Sequence, residues 1–188
     1  MHALQQGVNT IEVRTLDSDV LVILVRTFHD LTATQPFVDI WVTFGMGKNY
    51  RFYHINDICA SLGEPRSRSL PVFHAFSGCD TTSAFNGKGK RSFWQAWQVY
   101  EDITETFVYL ASHPFQLLDI DDNHFQKLEK LTVILHDKTS PLSSVNETRW
   151  ELFCHNNRAM DKLPPTKDAL LQHAQRAGYQ AGIWTTSA

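Results

Sequence analysis

The sequence predicts an α/β protein in which a parallel-type sheet and a hairpin occupy the first third and helices fill the rest. Three observations carry that expectation. Segments rich in β-formers crowd together before residue 56, and apolar residues recur at steps of three and four from Leu70 onward. The composition, 43% hydrophobic, 20% charged and 12% aromatic, is that of a chain able to bury a core rather than remain disordered. At 188 residues there is material for one good core, or for one domain with a helical appendage. The division expected is a body over 1–118 and a helical extension over 119–188.

Along the chain, Met1-His2-Ala3-Leu4 reads as the last turn of a helix already under way, with Gly7 as its stop, so the natural beginning is expected to lie upstream. Asn9 to Arg14 is strand-like. Val20 to Val25 is a continuous apolar run that suits a strand or a short helix buried on both sides. Phe37 to Phe44 and Tyr50 to Ile55 flank the turn chemistry of Gly45-Met46-Gly47-Lys48-Asn49 and predict a β-hairpin. Asn56 or Asp57 is expected to cap a short helix that Gly63 ends, and Gly63 to Arg68 to form a polar connector. Ser92 and Gln95 have capping-box spacing, and Phe93, Trp97, Tyr100, Ile103, Phe107 and Leu110 predict one long amphipathic helix. Asp121 or Asp122 opens the next helix, bearing Phe125, Leu128, Leu131, Thr132 and Leu135. Ser144 and Glu147 mark another, and Pro164-Pro165-Thr166 precedes a last helix running to about Ala181.

Two stretches depart from core logic. In LDSDVLVIL, Asp17 and Asp19 stand where a strand of a parallel sheet would end, the place where ligands gather in such sheets. Two like charges so close favour a hard cation between them, Mg²⁺ or Mn²⁺, although either aspartate also suits a helix cap. In GCDTTSAFNGKGKRS, Asp80 follows the small residues Gly78 and Cys79. Gly87, Lys88, Gly89, Lys90 and Arg91 then make a turn rich in backbone donors ahead of a helix, an arrangement suited to anions. It does not match the GxxxxGK[ST] phosphate loop. From Leu62 to Trp97 five basic residues (Arg66, Arg68, Lys88, Lys90, Arg91) face two acids (Glu64, Asp80), a local patch within a chain of net charge −3.

The segment FHAFSGCDTTSAFNGKGKRSFWQAW resembles that of flap-endonuclease-like nucleases of the PIN-like fold, and LDSDV resembles their D-x-D element. Over nearly the whole chain, IEVRTLDSDVLVIL through SVNETRWELFC to LPPTKDALLQHAQRAGYQAG is similar to a protein family of animal genomes linked to mobile elements. The nuclease resemblance covers about Asn9 to Trp97 and implies a partial PIN-like core. Carried over residue by residue, it makes Asp17, Asp19 and Asp80 catalytic ligands of Mg²⁺ or Mn²⁺. It makes Gly87, Lys88, Gly89, Lys90 and Arg91 a grip on the phosphates of duplex or branched DNA. Further acids would come from a strand and helix upstream of Met1. Two functions follow as expectations: a truncated, weakly active metal-dependent nuclease-like protein, or a non-catalytic nucleic-acid-binding or structural remnant of a mobile-element gene.

Other chemistry is poorly served. His74, Cys79 and Asp80 are neighbours in sequence, which rarely supplies the geometry of a cysteine hydrolase. Cys154-His155 is half a zinc site with no second pair. Trp94, Trp97 and Tyr100 have the spacing of core residues rather than of a base-stacking platform. The three cysteines, Cys59, Cys79 and Cys154, are an odd number at wide spacing, which points to a reducing compartment. No apolar run is long enough to span a membrane. The expected location is intracellular, the nucleus included.

Overall fold

The computed structural model describes residues 9–154 and 158–186. The helix end expected at Met1–Leu4, its stop at Gly7, and His155 lie outside the described residues. The chain is a mixed α/β fold dominated by helices around a three-stranded mixed sheet.

β1 (Thr10–Thr15) and β2 (Asp39–Phe44) run parallel, in a register that sets Ile11 opposite Ile40 and Val13 opposite Val42. The crossover between them is α1 (Ser18–Thr34). β3 (Arg51–His54) returns antiparallel to β2 and completes the expected hairpin, with Gly45 at φ +98° in the turn, where an added Cβ would lie 2.4 Å from the Asn49 carbonyl oxygen. The Val20–Val25 run thus belongs to a 17-residue helix rather than a strand. Its apolar character all round has a physical reason. Leu21, Leu24, Phe28 and Leu31 pack on the sheet core, while Ile23 joins the helical core on the other side.

α2 (Ile55–Leu62) ends at Gly63 as expected, with φ +74°. Asn56 does not cap it. The Asn56 side chain instead accepts from Ile40 N–H at 3.1 Å and donates to the Val38 carbonyl at 2.9 Å, fastening the helix to β2. Gly63 to Arg68 is no connector either: α3 (Glu64–Phe76) begins at Glu64, and Pro65 sits in its first turn, where a missing N–H costs nothing. From Pro71 to Phe76 every residue is buried, between α1 on one side and α5 and α8 on the other.

The long helix expected through Phe93 and Leu110 is two helices, α4 (Lys90–Val99) and α5 (Ile103–Ser112). Tyr100 leaves helical geometry at φ −121°, ψ 76°, and the indole N–H of Trp97 donates to Thr104 Oγ1 at 2.8 Å across the break. The break skips so few residues that Phe93, Trp97, Ile103 and Phe107 still reach the same core, so periodicity alone runs through it unaltered. Gly89, not Ser92, precedes α4, which overrides the capping-box reading.

α6 (Asn123–His136) opens at Asp122, whose carboxylate accepts from His124 N–H at 2.7 Å. α7 (Val145–Cys154) follows Ser144, and α8 (Lys167–Thr186) follows Thr166, extending five residues past the expected Ala181. The larger core joins Phe76, Phe93, Trp97 and Phe107 to Phe125, Leu128, Leu170 and Trp184, and so continues across position 118. Trp94 and Trp97 lie in or against it, with Trp97 2% exposed. Among the described residues, no helix is long and apolar enough to cross a membrane.

The buried histidines make this fold sensitive to acid. His136 donates Nδ1–H to the Thr132 carbonyl at 2.9 Å. Burial, with Lys88 and Arg158 nearby, pushes its pKa down to about 4. Burial likewise lowers His173 and His74. An unfolded His136 takes up its proton near pH 6.5, the folded one only near 4. Stability from this group is therefore complete above 6.5 and lost as pH falls through that window, on the order of 3 kcal/mol. Urea unfolding at pH 7.5 and 4.5 should show a smaller acid loss in His136→Asn than in the parent; equal losses would contradict this account.

Candidate functional site

The loop from Ser77 to Gly89 begins by resolving a problem at the end of α3. A helix leaves its last carbonyls without partners, and here they end inside the protein, where an unpaired acceptor is costly. Side chains from elsewhere meet them. Lys90 Nζ donates to the carbonyls of His74 (3.1 Å) and Gly78 (2.7 Å) and to Ser77 Oγ (3.3 Å). Thr82 Oγ1 donates to Ala75 O at 2.7 Å, and His173 Nε2 donates to Phe76 O at 2.8 Å. The ammonium also faces the negative end of the helix dipole. Burial lowers the Lys90 pKa, while Cys79 and Asp19 oppose the shift. Lys90, although exposed, therefore serves as a cap for α3, with its ammonium engaged by three acceptors of the protein itself.

Gly78 permits the turn that leads to Asp80. It has φ +96°, and a Cβ there would lie 2.8 Å from the Ala84 Cβ. Asp80 itself is exposed. Gly87, at φ +68°, is the residue of the Phe85–Lys88 turn that needs a left-handed backbone; the turn closes with Lys88 N–H on the Phe85 carbonyl at 3.0 Å. Gly89 is ordinary extended backbone (φ −92°, ψ 179°) with open space around a would-be Cβ.

Two of the three aspartates, Asp17 and Asp19, have separate local duties. Asp17 caps α1, its Oδ1 accepting from Asp19 N–H at 2.9 Å. Asp19 Oδ1 accepts from His74 Nε2–H at 2.9 Å. Burial first, and then the charge of Lys90, hold His74 below its ordinary pKa against the pull of Asp19, so this is a neutral ring hydrogen-bonded to a carboxylate rather than an ion pair. Asp17 and Asp80, far apart in sequence, line one open cleft of about 680 Å³ beyond the carboxyl end of β1, together with Arg14, Thr15, Ser18 and Gly45. The position beyond the strand ends agrees with where parallel sheets place ligands. Among the described residues, no three His, Cys, Asp or Glu side chains are grouped so as to hold a metal ion.

Of the five basic residues in the patch, three are engaged within the protein. Arg66 pairs with Glu101 at 2.7 Å, Arg68 pairs with Glu64 and Asp30 at 2.8 Å each, and Lys90 caps α3. Lys88 and Arg91 remain. Burial lowers the Lys88 pKa, and the charges of Arg158 and Lys138 lower it further, so Lys88 belongs to a cluster of cations that sequence order does not reveal. The cysteine-hydrolase pairing is absent: Cys79 Sγ meets the hydroxyls of Thr81 and Thr82 at 3.3 and 3.2 Å, while His74 faces Asp19.

Sequence reasoning missed the Asp19–His74 bond, the capping of α3 by Lys90, and a bond between Ser83 and His173. Their partners are separated by 55, 12 to 16, and 90 positions, and no local pattern announces them. No family model, curated protein or solved structure matches the chain.

Two outcomes follow for the loop. Lys90→Met leaves carbonyls at the α3 end without a charge-assisted donor and should cost about 2–3 kcal/mol in urea unfolding; a loss under about 0.5 kcal/mol would remove the capping role. Gly78→Ala combines a left-handed backbone with a backbone clash and should cost at least about 2 kcal/mol, whereas Gly89→Ala should stay within about 0.5 kcal/mol of the parent. Equal effects of the two alanines, compared by thermal melting, would show that the loop does not depend on Gly78.

Proposed function

We propose that this chain binds DNA as a metal-dependent, nuclease-like protein with a PIN-like body, taking a phosphate at the cleft shared by Asp17 and Asp80. The observation that carries the reading is that Asp17 and Asp80, far apart in sequence, both line one open cleft beyond the end of β1. Arg14 in the same cleft adds a cation that suits a phosphate. Lys88, on the turn after Asp80, and Arg91, in the first turn of α4, add sequence-blind attraction through counterion release.

The donor set fits a particular kind of ion. Mg²⁺ is commonly held by one or two carboxylates with its remaining positions filled by water and substrate phosphate. Asp17 and Asp80 opening on one cleft suit that mode, with Mn²⁺ as the alternative. The lack of a three-ligand group among the described residues argues against a closed cage. Bound there, such an ion would supply Lewis-acid polarisation of a phosphate oxygen. The chain's own contribution is to hold Asp17 by its capping bond and to aim the loop bearing Asp80 by the turn at Gly78. With Asp19 engaged by His74, the ligand set is thin for a two-metal reaction, so cleavage should be slow or absent. That same bond, with the internal use of Lys90, favours the second reading: a non-catalytic nucleic-acid-binding remnant of a mobile-element gene.

Titration of labelled duplex and branched DNA, with Mg²⁺, Mn²⁺ or EDTA and at several salt concentrations, tests both. In the first reading either ion tightens binding by the parent and does nothing for Asp80→Ala. Lys88→Ala/Arg91→Ala should lower the slope of log affinity against log salt by about two if both side chains touch phosphate. Ion-independent binding with the lowered slope would favour the non-catalytic reading. Rapid cleavage that vanishes in Asp80→Ala would show that the site is more complete than proposed, and no DNA binding at all would remove both.

A further inference from the structure

A second cleft lies on the other part of the same loop, and its chemistry is unlike the first. Ser83, Phe85, Asn86, Leu163, Ala169 and His173 are among the residues that enclose about 570 Å³ between the 83–86 loop and α8. His173 is buried, and its Nε2 lies 2.8 Å from the Phe76 carbonyl oxygen. A carbonyl only accepts, so Nε2 carries the proton and Nδ1 presents a lone pair. That lone pair lies 2.8 Å from Ser83 Oγ, whose hydroxyl therefore donates to it. Ser83 is exposed and lines the cleft.

We propose that Ser83 and His173 form a nucleophile and general-base pair that hydrolyses short carboxylic esters in this cleft. The arrangement has the three parts such a pair requires: a hydroxyl, a base within hydrogen-bond reach, and a third group orienting the base, here the carbonyl at the end of α3. The rings of Phe76 and Phe85 flank the imidazole at 5.1 and 4.8 Å, and burial keeps it in the neutral, proton-accepting form. The loop is held on either side of Ser83. Thr82 Oγ1 is bonded to Ala75 O, and Asn86 Nδ2 donates to both the carbonyl and the carboxylate of Asp161 at 2.9 and 3.0 Å. Pre-organisation of this kind is what a nucleophile needs and what a simple loop tether does not. The N–H of Ala84, next in the chain, has no acceptor among the described residues and is a candidate donor to a developing oxyanion. Phe85, Leu163 and Ala169 offer an apolar wall suited to a short aliphatic acyl group.

The step balances without any further reagent than water. Ser83 Oγ bonds to the acyl carbon as its proton passes to His173 Nδ1. The acyl–oxygen bond to the alcohol then breaks, and His173 returns the proton to the leaving oxygen. Water, deprotonated by the same nitrogen, attacks the acyl-serine and releases the acid, restoring the Ser83 hydroxyl.

The test uses the full chain, an alkyl fluorophosphonate and p-nitrophenyl acetate. The fluorophosphonate should leave a covalent adduct on the peptide containing Ser83, found by mass spectrometry, and p-nitrophenol should appear with a burst near one equivalent of protein. Ser83→Ala should lose the adduct and at least tenfold of the ester rate with an unchanged circular dichroism spectrum, since the side chain is exposed. His173→Gln should lose the adduct as well. If that variant unfolds, Ser83→Ala decides alone. No adduct on Ser83 in the folded parent, or an ester rate that survives Ser83→Ala, would overturn the proposal.

Discussion

The carbonyl end of α3 is the constraint around which this protein is arranged. A helix that terminates in the interior presents acceptors that water cannot reach, and every one left unmet costs as much as a good contact gains. Three side chains from different parts of the chain answer it: Lys90 from the start of α4, Thr82 from the loop, and His173 from α8. The glycines and lysines of the loop are to be understood first in this light. Gly78 lets the chain double back, and Lys90 returns to neutralise the end of the helix it has just left.

That solution also lays out the chemistry. One loop, held at Thr82 and again at Asn86, gives Asp80 to the cleft beyond β1 and Ser83 to the cleft beside α8. The same residues that satisfy the backbone orient the functional groups. His173 cannot cap Phe76 without presenting its other nitrogen to Ser83, and Lys90 cannot cap α3 while reaching for a phosphate. Electrostatics follow the same logic. Arg66 and Arg68 are paired with acids contributed by α5's approach and by α1, so the apparent basic patch thins to Lys88 and Arg91, with Lys138 and Arg158 joining Lys88 from beyond α6.

Much of the architecture was legible in the sequence because it rests on local physics. Strands at Asn9–Arg14 and Phe37–Phe44, the hairpin turn at Gly45, the stop at Gly63 and the cap at Asp122 each depend on side chains within a few residues of one another. The cap at Asp17 was one of two duties open to that residue, and the structure assigns it while also leaving Asp17 on the cleft. What failed or stayed open did so where a local signal agrees with more than one outcome. The spacing from Phe93 to Leu110 keeps its phase across the break at Tyr100, so one helix and two read alike. The run Val20–Val25 is apolar on every side because two cores cover it, which removes the periodicity that separates helix from strand.

By itself the sequence determined the elements of an α/β chain and the residue types available for binding an anion or a cation, since those depend on neighbours and on composition. Only the tertiary structure decided what each charged or nucleophilic group faces. Asp19 meets His74, Asp80 lines one cleft with Asp17, Lys90 caps α3, and Ser83 meets His173, as segments that no periodicity relates come together. The reason is physical: hydrogen bonding and burial act at a few ångströms in space, and it is the packing of α3 between α1, α5 and α8 that brings those distances about.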